Sequence, residues 1–236
     1  MKYYRAIGPI RAMTFDLDDT LYDNWPVILR LEKELQSWFA KHHPIYFQKD
    51  HTWWQSLKKQ VAIDNQSLIH NLSAWRQKYL EEGFRQLGYS DAKAVRVAEE
   101  AMVEVLKWRN RVDVPDSTHK VMRALANKYP LVAITNGNVD VKKIGLETYF
   151  SCVLKAGPDG PAKPLPDLFT KAAQHLGLPA KQILHVGDHL ISDVKGAVDR
   201  GYQACWINDH QKCLRQERAT LVPHIEITEL SQLLLL

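Results

Sequence analysis

The sequence predicts an α/β fold: a parallel, doubly wound sheet flanked by helices and interrupted by an inserted all-helical domain. Two observations lead there. Short apolar, β-branched runs recur at the start of the chain and through its second half, separated by helical patterns. Runs of that kind suit strands buried on both faces of a parallel sheet. Between the first run and the rest, residues 24–114 carry helical periodicity and no strand-like run. The 236 residues, 45% hydrophobic and 25% charged, are enough to fold a sheet domain plus an insert.

The first predicted strand is Arg11–Asp16. In the insert, Val27, Ile28, Leu31, Leu35, Trp38 and Phe39 follow a helical period, as do Val95, Ala98, Met102, Val105 and Leu106. The insert is expected over residues 24–114, and the sheet domain over 1–23 and 115–236. Beyond it, Leu131–Thr135, Cys152–Leu154, Ile183–Val186 and Ala204–Ile207 read as strands. A helix is predicted over Pro166–Leu176, with Pro166 in its first turn and Gly177 at its stop. A second is predicted over Ser192–Arg200, closed by Gly201. The alternation is Rossmann-like.

Composition excludes several classes. A net charge of +4 is scattered among acids with no basic run, so neither nucleic acid nor a membrane surface is an expected partner. No window approaches the roughly 20 apolar residues of a membrane span. The Leu233–Leu236 run is far shorter and is expected to cap a core. Cys152, Cys205 and Cys213 are odd in number and show no CxxC spacing. That disfavours a disulfide framework or a zinc site, and a reducing cytoplasmic setting is expected.

Four pieces with chemistry lie at predicted strand ends, where open α/β sheets bind ligands. Asp16-Leu17-Asp18-Asp19-Thr20 follows the first strand. Two carboxylates spaced by one residue enter the same crevice, and burying them unpaired is costly, so a cation is implied. Hard oxygen ligands beside a phosphate suit Mg²⁺. Thr135-Asn136-Gly137 ends the second strand and offers a hydroxyl and backbone N–H groups. Lys163, just before a helix, can neutralise phosphoryl oxygens. Gly187-Asp188, followed by Asp193, ends the Ile183–Val186 strand, and Asp188 can complete a metal site with Asp16. Taken singly, each piece has an ordinary reading as a turn, a helix cap or a solvated lysine. Their order and shared placement argue for one site.

These residues resemble the four motifs of the haloacid-dehalogenase superfamily: DxDxT at Asp16–Thr20, S/T-N at Thr135-Asn136, the lysine at Lys163, and GDxxxxD from Gly187-Asp188 to Asp193. Many relatives carry Asn before the last Asp, where this chain has Ser192. The resemblance implies a Rossmannoid core, a mobile helical cap at the insert, and Mg²⁺-dependent phosphatase activity, with Mn²⁺ able to substitute. It implies Asp16 as nucleophile, Asp18 as acid and base, and Lys163 as a further catalytic group. It implies metal ligation by Asp16, Asp188 and the Asp18 carbonyl. Thr135, Asn136, Gly137 and Lys163 would hold the phosphate, with Thr20 and Asp193 supporting. Within the superfamily the chain looks most like a bacterial phosphatase of riboflavin biosynthesis. That implies a small phosphate ester as partner, 5-amino-6-(5-phospho-D-ribitylamino)uracil or FMN, and a monomer or small homo-oligomer. Trp25, Trp53, Trp54, Trp75 and Tyr79 could stack on such a ring or simply fill a core. The alternatives are a sugar phosphomutase sharing the motifs and a non-catalytic phosphometabolite-binding protein.

Overall fold

The computed structural model describes residues 1–209, 213–214 and 221–236. In chain order the main elements are β1 (Lys2–Tyr3), β2 (Ala12–Phe15), α1 (Trp25–His42), α2 (His51–Asp64), α3 (Leu72–Gln86), α4 (Asp91–Arg109), α5 (Asp116–Ala126) and β3 (Leu131–Thr135). There follow β4 (Cys152–Lys155), α6 (Pro166–Leu176), β5 (Ile183–Gly187), α7 (Gly196–Asp199), β6 (Gln203–Ile207) and β7 (Ile225–Ile227). Two compact units result, residues 1–23 with 113–236, and residues 24–112.

The first unit is built on a seven-stranded sheet of order β1-β7-β6-β5-β2-β3-β4. All pairings are parallel except β1 with β7. The chain moves outward from β2 through β3 to β4, then returns to β5 on the other side of β2. The strand order therefore reverses at β2, and the crevice beyond its carboxyl end is the expected ligand position. β2, β3, β5 and β6 are buried along their whole length, as apolar runs covered on both faces must be. Leu168, Phe169 and Ala172 of α6 pack with Val132, Ile134, Ala204 and Trp206. Gly177 ends α6 in the left-handed region at φ 63°, which only glycine adopts readily.

Three features differ from the sequence expectation. β1 and β7 were not expected as strands, although β7 carries an alternating Ile225-Glu226-Ile227 whose isoleucines are buried. Glu226 of β7 is buried and binds Lys2 Nζ (3.1 Å), the Tyr4 hydroxyl and Asn208 Nδ2 (2.9 Å), so side chains pin this edge. The helix expected from Ser192 instead begins as a wide, π-type turn over Leu190–Lys195 before α7. Of the terminal leucines only Leu233 is buried, whereas Leu235 is 79% exposed.

The second unit is helical. Leu31, Leu35, Phe39, Trp54, Leu57, Leu80, Phe84, Val97 and Ala101 form its core. In α4 the buried stripe runs through Ala94, Val97, Ala98, Ala101, Met102 and Val105, with Val95 and Leu106 at its margin. Asp50, Asn71 and Ser90 cap α2, α3 and α4 by accepting backbone N–H bonds. Trp54 is stacked on Tyr46 at 4.4 Å and is 4% exposed, so it fills the core and offers no face to a ligand. No described helix is long and apolar enough to cross a membrane.

Candidate active site

The carboxyl ends of β2, β3 and β5 bring all four sequence pieces into one crevice. Asp16 follows β2 directly, and its N–H donates to the Val186 carbonyl of β5 (2.9 Å). Leu17 is fully buried, and its carbonyl accepts from Thr20 N (3.3 Å) and Leu21 N (2.9 Å). That tight turn anchors the loop by its apolar residue and leaves Asp16 and Asp18 half-buried on either side. Asp19 takes a positive φ of 56°, a conformation that aspartate tolerates better than most residues. The Tyr22 hydroxyl donates to Asp18 Oδ1 (2.7 Å), fixing that carboxylate.

Lys163 sits at the centre, with Nζ 2.8 Å from Asp16 Oδ1 and 2.6 Å from Asp193 Oδ1. Its backbone is clamped twice by the Asn136 amide, which accepts from Lys163 N (2.8 Å) and donates to Lys163 O (3.0 Å). The Asn136 side chain thus holds the lysine loop. The Thr135 hydroxyl accepts from Gly137 N (2.9 Å), which closes the turn after β3 and occupies the Gly137 N–H in this state. Thr20 Oγ1 approaches Asp188 Oδ1 at 3.4 Å.

Asp193 is the most enclosed carboxylate of the group. Beyond Lys163, it accepts from His189 N through Oδ2 (2.9 Å) and lies 3.2 Å from His185 Nε2 through Oδ1. A Cβ at Gly187 would stand 2.3 Å from Asp193 Cγ, so only glycine leaves room for the carboxylate there. The Asp188 carbonyl accepts from Trp206 Nε1 (2.7 Å).

The charge balance is uneven. Asp16, Asp188 and Asp193 each present a carboxylate oxygen within 4.8 Å of the others. With one ammonium among them, two negative charges remain when all are ionised. Burial pushes Asp16 up to about 8, with Lys163 opposing and Asp193 reinforcing. Burial, then Asp193 and Asp19, push Asp188 up to about 7. Burial also works against ionisation of Asp193, but Lys163 and His185 outweigh it and hold that carboxyl well below the usual range. At Lys163 burial is outweighed by Asp16 and Asp193, which keep the ammonium charged. Asp193 is already held by three donors. Asp16 and Asp188 carry the uncompensated charge, so a divalent cation with hard oxygen preference fits them.

A cleft of about 270 Å³ is lined by Asp19, Thr20, Asp23, Thr118, Asp209 and Glu229 among others. Its acidic lining suits no phosphate dianion, and Asp16, Lys163 and Asp188 are not part of it.

Sequence reasoning missed His185, Tyr22 and Trp206. The signal for His185 was a histidine inside the apolar run Ile183–Val186, since a buried imidazole requires partners. Tyr22 and Trp206 gave no signal beyond being aromatic.

A family model for haloacid dehalogenase-like hydrolases matches residues 10–200. The 5-amino-6-(5-phospho-D-ribitylamino)uracil phosphatase YigB of Escherichia coli K12 is 44% identical, over 99% of this chain and 98% of that one. A phosphoserine phosphatase of Thermus thermophilus is 26% identical over 96% of this chain and 98% of its own. Among solved structures, one described as a 2-haloacid dehalogenase from Pseudomonas syringae pv. Tomato DC3000 aligns with a TM-score of 0.90 and 33% identity, covering 95% of this chain and 96% of that one.

Proposed function

The chain belongs to the haloacid dehalogenase-like hydrolases and is a phosphatase; from that premise we propose that it hydrolyses small phosphate monoesters with Mg²⁺, through a phosphoryl group carried on Asp16. The observation that supports this most is the Asp16 carboxylate held 2.8 Å from the buried Lys163 ammonium at the switch point of the sheet.

In this reading Asp16 attacks phosphorus, forming an aspartyl-phosphate as the ester P–O bond breaks. Asp18, held by Tyr22, gives its proton to the leaving alkoxide. It then takes a proton from the water that attacks phosphorus and frees Asp16. Lys163, the Thr135 hydroxyl and the backbone N–H groups after β3 face the charge on the transferring oxygens. Mg²⁺, held by Asp16, Asp188 and the Asp18 carbonyl, would keep Asp16 ionised and neutralise phosphate charge. Asp193 directs Lys163, and Asn136 fixes its backbone.

The four motifs address only the phosphoryl group, so we assign substrate choice to the helical unit, residues 24–112, acting as a cap. The substrate favoured is 5-amino-6-(5-phospho-D-ribitylamino)uracil, on the strength of the 44% identical relative, with FMN second. Free thiols at Cys152 and Cys205 suit a cytoplasmic enzyme.

The 33% identical structure described as a dehalogenase raises a second reading. A halide leaves without a proton, however, and the positioned Asp18 carboxyl then has no task. Phosphate release from both candidate substrates and a panel of phosphorylated metabolites, with Mg²⁺ and with EDTA, tests the proposal. Metal-dependent phosphate release supports it. Halide release from 2-haloacids with no phosphate release from any ester would overturn it.

A further inference from the structure

His185 is a buried titratable side chain in contact with the site that the mechanism above does not use. It stands in β5 directly opposite Thr14 of β2 in the parallel register. Its Nδ1 is 2.8 Å from Thr14 Oγ1, and its Nε2 is 3.2 Å from Asp193 Oδ1. Phe169 meets the ring edge-on with centroids 5.0 Å apart. The result is an unbroken chain of polar groups, Thr14, His185, Asp193 and Lys163, all buried, that ends on the half-buried Asp16.

We propose that His185 is a positioning residue, which through Nε2–H aims the Asp193 carboxylate at Lys163 and so sets the lysine against Asp16. The proposal rests on the phosphatase reading of this site. The direction of each bond follows from the partners. Asp193 Oδ1 already accepts from Lys163, and an ionised carboxylate can only accept, so Nε2 must carry the hydrogen. A neutral ring then has a bare Nδ1, which the Thr14 hydroxyl satisfies as donor. The acceptor-only Asp193 carboxylate therefore sets the tautomer, and the Thr14 hydroxyl, which can donate or accept, satisfies the Nδ1 that this leaves bare. Two strand positions brought side by side only by the sheet register thus fix the hydrogen bonding of a carboxylate eight residues further along the chain.

A ring that lost this bond would leave Asp193 with two donors, Lys163 and His189 N. Its Oδ1 could then rotate, and Lys163 would have no fixed seat beside Asp16. An apolar side chain of similar bulk removes the bond without opening a large cavity. A glutamine keeps an amide N–H near the position of Nε2.

The test has two arms. In the first, kcat and KM are measured at saturating Mg²⁺ for wild type, His185→Leu, His185→Gln, Asp193→Asn and the double variant Asp193→Asn/His185→Leu, with folding checked by near-UV circular dichroism. His185→Leu is expected to lower kcat by about 10–100-fold, and His185→Gln to recover part of that loss. In the Asp193→Asn background, His185→Leu should cost little more, because the two act through one bond. A purely structural histidine would give additive losses and no glutamine rescue, which overturns the proposal. In the second arm, long-range ¹H–¹⁵N NMR of the His185 ring at pH 7 reports its tautomer without any need for turnover. A neutral ring with hydrogen on Nε2 is expected. Hydrogen on Nδ1 alone, or on both nitrogens, overturns the proposal. Absence of wild-type turnover would contradict the phosphatase reading and leave the NMR arm to decide the role of His185.

Discussion

In the proposed mechanism the proton transfers rest on one side chain, Asp18, held by the Tyr22 hydroxyl. Asp18→Asn keeps the shape and the Tyr22 hydrogen bond but removes the proton. With alkyl phosphates kcat is expected to drop roughly 10²–10⁴-fold. Formation of the phosphoryl-enzyme from an activated aryl phosphate, whose leaving group needs no proton, should suffer far less. Rapid-quench measurement of that step for both ester types checks it, and equal losses would remove Asp18 from the role. The same scale supplies a pH effect. In the metal-free protein Asp188 is pushed up to about 7 and Asp16 to about 8, both far above an unfolded aspartate. Around neutrality the folded state therefore holds protons that the unfolded chain has lost, and stability must fall as pH rises through this range. Burial holds His43, His185 and His224 below the ordinary histidine range, which opposes the trend near pH 7 but fades toward pH 8 as histidines in the unfolded chain also lose their protons. In EDTA the midpoint of unfolding is expected to fall from pH 7 to pH 8, and Mg²⁺ should reverse the trend by stabilising the ionised pair. A midpoint that rises with pH in EDTA would show these carboxyls to be ordinary. The motif residues were legible because local spacing carries them. His185 and Thr14 were not, because they lie 171 residues apart and meet only through strand register.

Elements were legible where one physical signal ruled. Pro166 and Gly177 bracket α6 as the sequence indicated, because proline at a first turn and glycine in the left-handed region act locally. The edge pairing of β1 with β7 was not legible, since β1 is only two exposed residues, β7 only three, and the donors to Glu226 come from distant parts of the chain. The turn over Leu190–Lys195 departs from regular helix where the His189 ring accepts from Ile191 N and Ser192 N. In the helical unit, α3 offers a test of packing against propensity. Gly83 lies in mid-helix, where alanine alone would gain about 1 kcal/mol. A Cβ there would stand 2.1 Å from Trp54 Cζ3, and Trp54 is locked by Tyr46, Phe84 and its own bond to the Tyr46 carbonyl. Overpacking should win, and Gly83→Ala is expected to destabilise by about 1–3 kcal/mol. Denaturant unfolding followed by tryptophan fluorescence measures this, and a gain in stability would mean that Trp54 can move aside.

At the scale of the whole molecule, the chain divides between a sheet unit that holds every charged group of the candidate site and a helical unit that holds none of them. The alternation of strand and helix texture made that division visible in sequence, because the two periodicities differ. What sequence could not supply was the preference for a particular leaving group, since the aromatics of the helical unit follow the same helical spacing as core residues, and Trp54 is one of them. In the proposed mechanism everything downstream depends on Asp16 carrying the phosphoryl group. Wild type mixed with excess phosphate ester and Mg²⁺, quenched in acid within the first turnover and mapped by peptide mass spectrometry, tests it most directly. A single phosphoryl adduct on Asp16, absent in Asp16→Asn, is expected. Turnover without any adduct under conditions that trap acyl phosphates, or an adduct on another residue, would contradict it.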